Sequence, residues 1–167
     1  MLQPHDAEAV FQLFSDEKVV RFYDLERFES PDQAVRQINK WLNEFHEGTG
    51  IRWAIAESHS PENLIGTIGL QNISLLHRKA ELGYDLLPIH WNRGIMGLCV
   101  QQAIRTGFEK MKLNRIEAKT DPRHLASQKV LLKNGFHLEG TLRQSVWEKG
   151  RFQDEMMFSI LGQDFMA

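Results

Sequence analysis

Apolar residues recur at helical intervals near the start of the chain, at alternate positions through its middle, and at helical intervals again beyond it. Ala9, Val10, Leu13 and Phe14 predict an early helix. "SPDQAVRQINKWLNEFHEG" predicts a sharper one: Ser30 suits the N-cap, Pro31 the first helical position, and Gln33 completes a capping box. Val35, Ile38, Leu42 and Phe45, with Ala34 and Trp41 beside them, predict one buried stripe that ends near Gly48. The period then changes to two. "IRWAIAES", "NLIGTIGLQN" and "RKAELGYDLL" predict three strands joined by short turns, an antiparallel meander. Ile95, Cys99, Ala103, Ile104 and Phe108 mark a long helix, and "NRIEAKT" a further strand. Asp121 as cap and Pro122 as first residue open a shorter helix that Asn134-Gly135 stops. Two last strands, 136–147 and 152–161, flank the turn "EKGR".

This order predicts a mixed α/β chain. Its central sheet is mostly antiparallel, flanked by about four helices, and the crossover helix makes one strand pair parallel. At 167 residues and 42% hydrophobic, residues 1–167 read as a single domain able to bury its own core. A net charge of −2 and a pI near 6.4 supply no basic field for nucleic acid or an anionic membrane. Small molecules or proteins are the expected partners. The only cysteine, Cys99, allows neither a disulfide framework nor a Cys-based metal site, and seven histidines lack metal-ligand spacing. No charged leader precedes an apolar core and no eighteen apolar residues run together, so the chain reads as soluble and cytoplasmic.

"PIHWNRGIMG" sits between the third strand and the long helix. Gly94 and Gly97 flank a helix start whose first amides are free, and Arg93 adds a positive charge, so the stretch suits an anion such as phosphate. It is neither GxGxxG nor a P-loop, and a tight strand-to-helix turn is the alternative reading. "AELGYDLLP" running into "WNRGIMG", then "LNRIEAKT", then "HLASQKVLLKNGFHLEGTLR", together resemble the GNAT superfamily of acetyl-CoA-dependent N-acetyltransferases over nearly the whole chain. Within it the chain resembles the branch of the ribosomal-protein N-terminal and small-amine acetyltransferases.

The resemblance implies a GNAT fold in which the strand ending at Leu87 splays from the strand at 114–120. It implies acetyl-CoA as cosubstrate, with the backbone of Asn92, Arg93, Gly94, Ile95, Met96 and Gly97 around its pyrophosphate. The pantetheine arm would lie in the splay against backbone groups of Leu86 and Leu87, one of whose N–H groups polarises the thioester carbonyl. Met96 stands where the family commonly has a small residue, and His124 where it has the Asn of an Asn-x-x-Ser motif. By resemblance His124 contacts the cofactor, and Ser127 sits near the sulfur as proton donor.

Glu81 and Asp85 alternate with Leu82, Tyr84 and Leu86 and so share one face of their strand. Glu81 is the candidate base, with a solvated or Arg-paired carboxylate as the alternative; Asp85 and Glu148 are candidates to meet the acceptor. Tyr84 reads as a packing aromatic. "VVRFYDLERFES" and the last hairpin would shape the acceptor site, whose acids Asp24, Glu26 and Glu148 suit a cationic amine: a protein N-terminus, a polyamine or an amino sugar. Only residues 1–3 precede "PHDAEAV", so the family's first strand is abbreviated, and its sheet edge would be covered in a homodimer or reflect a shortened start. The competing reading is a catalytically idle acyl-CoA-binding domain that kept the fold.

Overall fold

The alternation between residues 51 and 87 folds as three antiparallel strands, β1 (Ile51–Glu57), β2 (Ser60–Ser74) and β3 (Lys79–Leu86). The structure, a computed structural model, describes residues 2–23 and 25–166. Strands β4 (Arg115–Thr120), β5 (His137–Glu148) and β6 (Arg151–Leu161) complete one six-stranded sheet in the order β1-β2-β3-β4-β6-β5. Among the described residues only β3 and β4 pair in parallel, as the helical crossover between them requires. Leu2, fully buried, brings its N–H to Arg52 O at 3.5 Å on the outer edge of β1.

Helices α1 (Ala7–Ser15), α2 (Glu17–Val20) and α3 (Pro31–His46) precede the sheet; α4 (Ile95–Arg105), α5 (Leu125–Lys133) and α6 (Gly162–Met166) follow β3, β4 and β6. The α3 start is as read: Gln33 Oε1 accepts from Ser30 N at 3.0 Å and Glu29 N at 2.6 Å. Its buried stripe is not. Ala34, Ile38 and Trp41 are buried, whereas Val35 and Phe45 are about two-fifths exposed. Three of the six expected positions therefore line the buried face, and Leu42 packs partly buried beside them. The α5 start also differs, because Asp121 Oδ1 accepts from Arg123 N at 2.7 Å in a local turn and His124 takes the N-cap. The long helix ends at Arg105 and continues as a π turn, Thr106–Lys110.

Apolar side chains fill both faces of the sheet. On one, Leu70, Leu82, Ile116 and Phe158 pack with Val100 and Ile104 of α4 and Leu131 of α5. On the other, Leu64 packs with Val10, Leu13 and Phe14 of α1 and Ile38 and Trp41 of α3. No helix among the described residues is long and apolar enough to cross a membrane.

Candidate active site

The parallel pairing of β3 with β4 stops early. Lys79, Ala80 and Glu81 oppose Arg115, Ile116 and Glu117, and beyond them the two strands part. Each keeps its other neighbour: β3 pairs with β2 as far as Leu86–Gly66, and β4 with β6 as far as Thr120–Met156. Leu87 N–H is spent on Ile65 O at 2.9 Å, so by strand alternation the N–H groups of Tyr84 and Leu86 point into the gap. Of the two expected backbone positions, Leu86 keeps its N–H for the gap and Leu87 does not. The Leu86 carbonyl accepts from the Trp91 indole N–H at 2.7 Å, which ties the glycine-rich turn to the end of β3.

At the mouth of the gap the chain turns through Asn92 (φ 59°) and Gly94 (φ 79°) into α4. A side chain at Gly94 would be strained by that φ, and the position is open to solvent, so the backbone is approachable. The amides of Ile95, Met96 and Gly97 belong to the first turn and have no intrahelical acceptor. Met96 costs the turn nothing, because its side chain is 8% exposed within the core under α4. The Arg93 guanidinium is held beside Glu57 Oε1 at 3.1 Å and His90 Nδ1 at 3.0 Å.

Ser127 on α5 is buried, and Tyr84 reaches it from β3. The phenol oxygen is 2.8 Å from Ser127 Oγ and 3.3 Å from its backbone oxygen. Burial raises the Tyr84 pKa to about 12, so the phenol keeps its proton at neutral pH. One helical turn before Ser127, the His124 ring stacks on Phe22 at 4.6 Å, joining α5 to the segment after α2. Burial lowers the His124 pKa from its ordinary 6.5, against the nearby Asp121 charge, and so favours the neutral imidazole. The Arg21 and Arg123 guanidiniums lie 5.1 and 5.9 Å from the Phe22 ring centre.

The two acids expected on β3 do not join this group. Asp85 is buried on the opposite face in an ion pair with Arg52, whose Nε also donates to Thr67 Oγ1 at 3.1 Å. A carboxylate 2% exposed and paired in this way cannot meet an acceptor, which corrects its assignment as a substrate contact. Glu81 lies at the closed end of the strand pair, with Gln71 Nε2 at 3.2 Å and Lys119 Nζ at 3.5 Å. The alternative reading of it is a solvated or Arg-paired carboxylate; the cation here is a lysine. Glu148 ends β5 beside the hairpin tip, where its charge acts on Arg123, and Lys149 Nζ donates to Val20 O at 2.7 Å. Asp24 lies outside the described residues.

Sequence reasoning missed Tyr84 as a polar residue, and Phe22 and Arg52 altogether. The signal for Arg52 was present, since a charge at an inward position of "IRWAIA" demands a buried partner, and Asp85 is the acid on the matching face. No local pattern announces Phe22.

The chain belongs to the acetyltransferase (GNAT) domain family, whose model matches residues 1–137. It is an N-acetyltransferase, and the reading of an idle domain is set aside: YoaA, an uncharacterized N-acetyltransferase of Bacillus subtilis strain 168, is 40% identical over 156 residues, covering 93% of this chain and 88% of that one. Among solved structures, spermidine N-acetyltransferase from Vibrio cholerae in complex with CoA and spermine superposes with a TM-score of 0.87 at 23% identity, covering 99% of this chain and 95% of that one. Ribosomal-protein-S5-alanine acetyltransferase from Vibrio fischeri gives 0.85 at 22% identity, covering 98% and 92%. At these identities the two structures establish the fold.

Proposed function

We propose that the protein transfers the acetyl group of acetyl-CoA to a primary amine by direct attack while both substrates are bound. The observation that carries this is the parting of β3 from β4 beside a glycine turn and a helix N-terminus. The residues present fit coenzyme A. First-turn amides of α4 and the Arg93 guanidinium suit its phosphates, and the N–H groups of Tyr84 and Leu86 suit the amides of its arm. The buried Thr120 hydroxyl, at the end of β4, has no hydrogen-bond partner among the described residues. Bound there, acetyl-CoA supplies an activated acetyl carbonyl and a thiolate leaving group.

The chain's own groups then have distinct work. The Leu86 N–H polarises the carbonyl as charge develops on its oxygen. Ser127 Oγ donates a proton to the departing sulfur, and the Tyr84 phenol holds that hydroxyl in place. His124, neutral and stacked on Phe22 at the acceptor side, accepts the amine proton in place of Glu81, which Lys119 and Gln71 engage elsewhere.

A weakly basic imidazole suits a weakly basic amine. An α-amine, with a pKa near 7.8, is roughly one-tenth neutral at pH 7, whereas a lysine-like amine near 10.4 is neutral on the order of one part in a thousand. The cavity of about 590 Å³ between α2, the segment after it and the hairpin tip points the same way. Glu17, Glu26 and Glu29 there are offset by Arg21, Arg27 and Lys149, so the acids do not gather the negative field that a polyamine would need. A protein or peptide N-terminal α-amine is therefore our first acceptor, acetylated in the cytoplasm. Calorimetric titration with acetyl-CoA, followed by a free-thiol assay against peptides, polyamines and amino sugars, tests both parts. Micromolar binding and peptide-driven thiol release are expected; no binding at millimolar acetyl-CoA overturns the reading.

A further inference from the structure

The side-chain oxygen of Thr120 is buried and, among the described residues, is the one buried side-chain polar atom without a hydrogen-bond partner. The residue is 7% exposed, so solvent does not substitute freely for that partner. Buried hydroxyls are nearly always bonded, because an unmade bond leaves the whole desolvation penalty uncompensated. Something other than the folded chain's own groups is needed to complete this one.

The position says what. Ile116, Ala118 and Thr120 are the buried residues of β4 and alternate onto one face. That is the face against which α4 and α5 pack, and it is also the face that carries Leu82 and Tyr84 on β3. The parallel register pairs Ala80 with Ile116 and Glu81 with Glu117 before the strands part. Counted on by the same step, the partner of Tyr84 is Thr120. The two residues therefore stand at matching positions on the two walls of the gap. Tyr84 has found Ser127, whereas Thr120 has found nothing.

We propose that the Thr120 hydroxyl is a binding residue for the extended, amide-containing arm of coenzyme A, and that this ligand supplies its missing hydrogen bond. The inference rests on the acetyl-CoA reading above and goes beyond it by naming a side chain on the β4 wall. A hydroxyl can donate to a carbonyl of the arm or accept from an amide N–H, so either amide group satisfies it. In the ligand-free protein the unmet bond is a local cost that ligand binding removes.

Thr120→Val keeps the shape and deletes the hydroxyl. The variant is expected to melt at the wild-type temperature or above it without ligand, since an unpaired polar atom has gone. Its affinity for coenzyme A, measured by calorimetry, is expected to fall about 3- to 10-fold, the size of one lost hydrogen bond. Its affinity for adenosine 3′,5′-bisphosphate, which lacks the arm, is expected to stay unchanged, and Thr120→Ser is expected to bind coenzyme A nearly as the wild type does. Undiminished coenzyme A affinity in Thr120→Val overturns the proposal, and so does an equal loss for both ligands. A Thr120→Val protein that is destabilised yet binds normally gives the hydroxyl an internal structural role, which also overturns it. Failure of the wild type itself to bind coenzyme A would show up separately, as failure of the acetyl-CoA reading.

Discussion

The two ends of the β3–β4 pair are built from opposite materials. At the closed end, charges bridge from strand to strand. Lys79 Nζ lies 3.3 Å from Glu117, Arg115 Nε 2.7 Å from the same carboxylate, and the Arg115 guanidinium grips Glu139 of β5 through two bonds of 2.6 Å. Ser159 of β6 adds a fourth strand, donating to Glu139 at 2.6 Å. At the open end the corresponding side chains are the hydroxyls of Tyr84, Ser127 and Thr120, and no ladder crosses the gap. A sheet can leave a space between parallel neighbours only if each wall is secured from behind. For β4 the support is β6; for β3 it is β2, together with an ion pair buried on the far face.

That ion pair is where the contrast breaks most easily. Arg52 lies over Gly69, where an added methyl would stand 2.7 Å from its Cδ, and its Nη1 donates to Gly83 O at 3.3 Å. The Trp41 ring covers it from α3 at 5.0 Å. Asp85→Asn leaves a guanidinium buried without its counter-charge, so a loss of about 3–5 kcal/mol is expected in chemical denaturation. Replacing both partners by apolar residues, Arg52→Met with Asp85→Leu, is expected to recover most of that loss, because no unpaired charge remains. If Asp85→Asn is as stable as the wild type, the pair does not hold the open wall.

The next effect is on chemistry and sharpens the open end. Tyr84→Phe removes one oxygen from a buried pair and leaves Ser127 Oγ unoriented. Turnover is expected to fall about tenfold with KM for acetyl-CoA little changed, and Ser127→Ala to fall about a hundredfold. Because the phenol acts through the serine, the double variant should be no slower than Ser127→Ala alone. Independent, multiplying losses would show that Tyr84 does not act through Ser127.

Much of this frame could be read before the structure was known. The alternation of strands β1 to β3, the capping residues of α3 and the helix after "PIHWNRGIMG" are local facts, written in neighbouring residues. The active-site contacts are not local. Tyr84 and Ser127 are 43 positions apart, and Phe22 meets His124 across more than half the chain. Asp121-Pro122 misled for a related reason: Asp and Pro favour a turn as readily as a helix start, and Arg123 drew the carboxylate into a turn. The face of β3 on which Asp85 lies was legible. Its burial depended on Arg52 and Trp41, which only the fold brings together.

The closed end should yield the smallest effect, although it shows the most ion pairs. The Arg115 hydrogen bonds, with help from Ser159, hold the Glu139 pKa down to about 2, but the carboxylate is 42% exposed and solvent screens it. A carboxylate with a folded pKa below its unfolded value stabilises the protein at pH values above the unfolded value of 4.5. That contribution fades as the pH falls from there through about 2. Glu139→Gln removes it, so denaturation curves of variant and wild type should differ by no more than about 1 kcal/mol at pH 7 and converge near pH 2. Half-molar salt should shrink the gap at neutral pH, because the network is held by exposed charges. A difference that persists at pH 2 or resists salt would mean that the closed end is held by the packing of Glu139 and not by its charge.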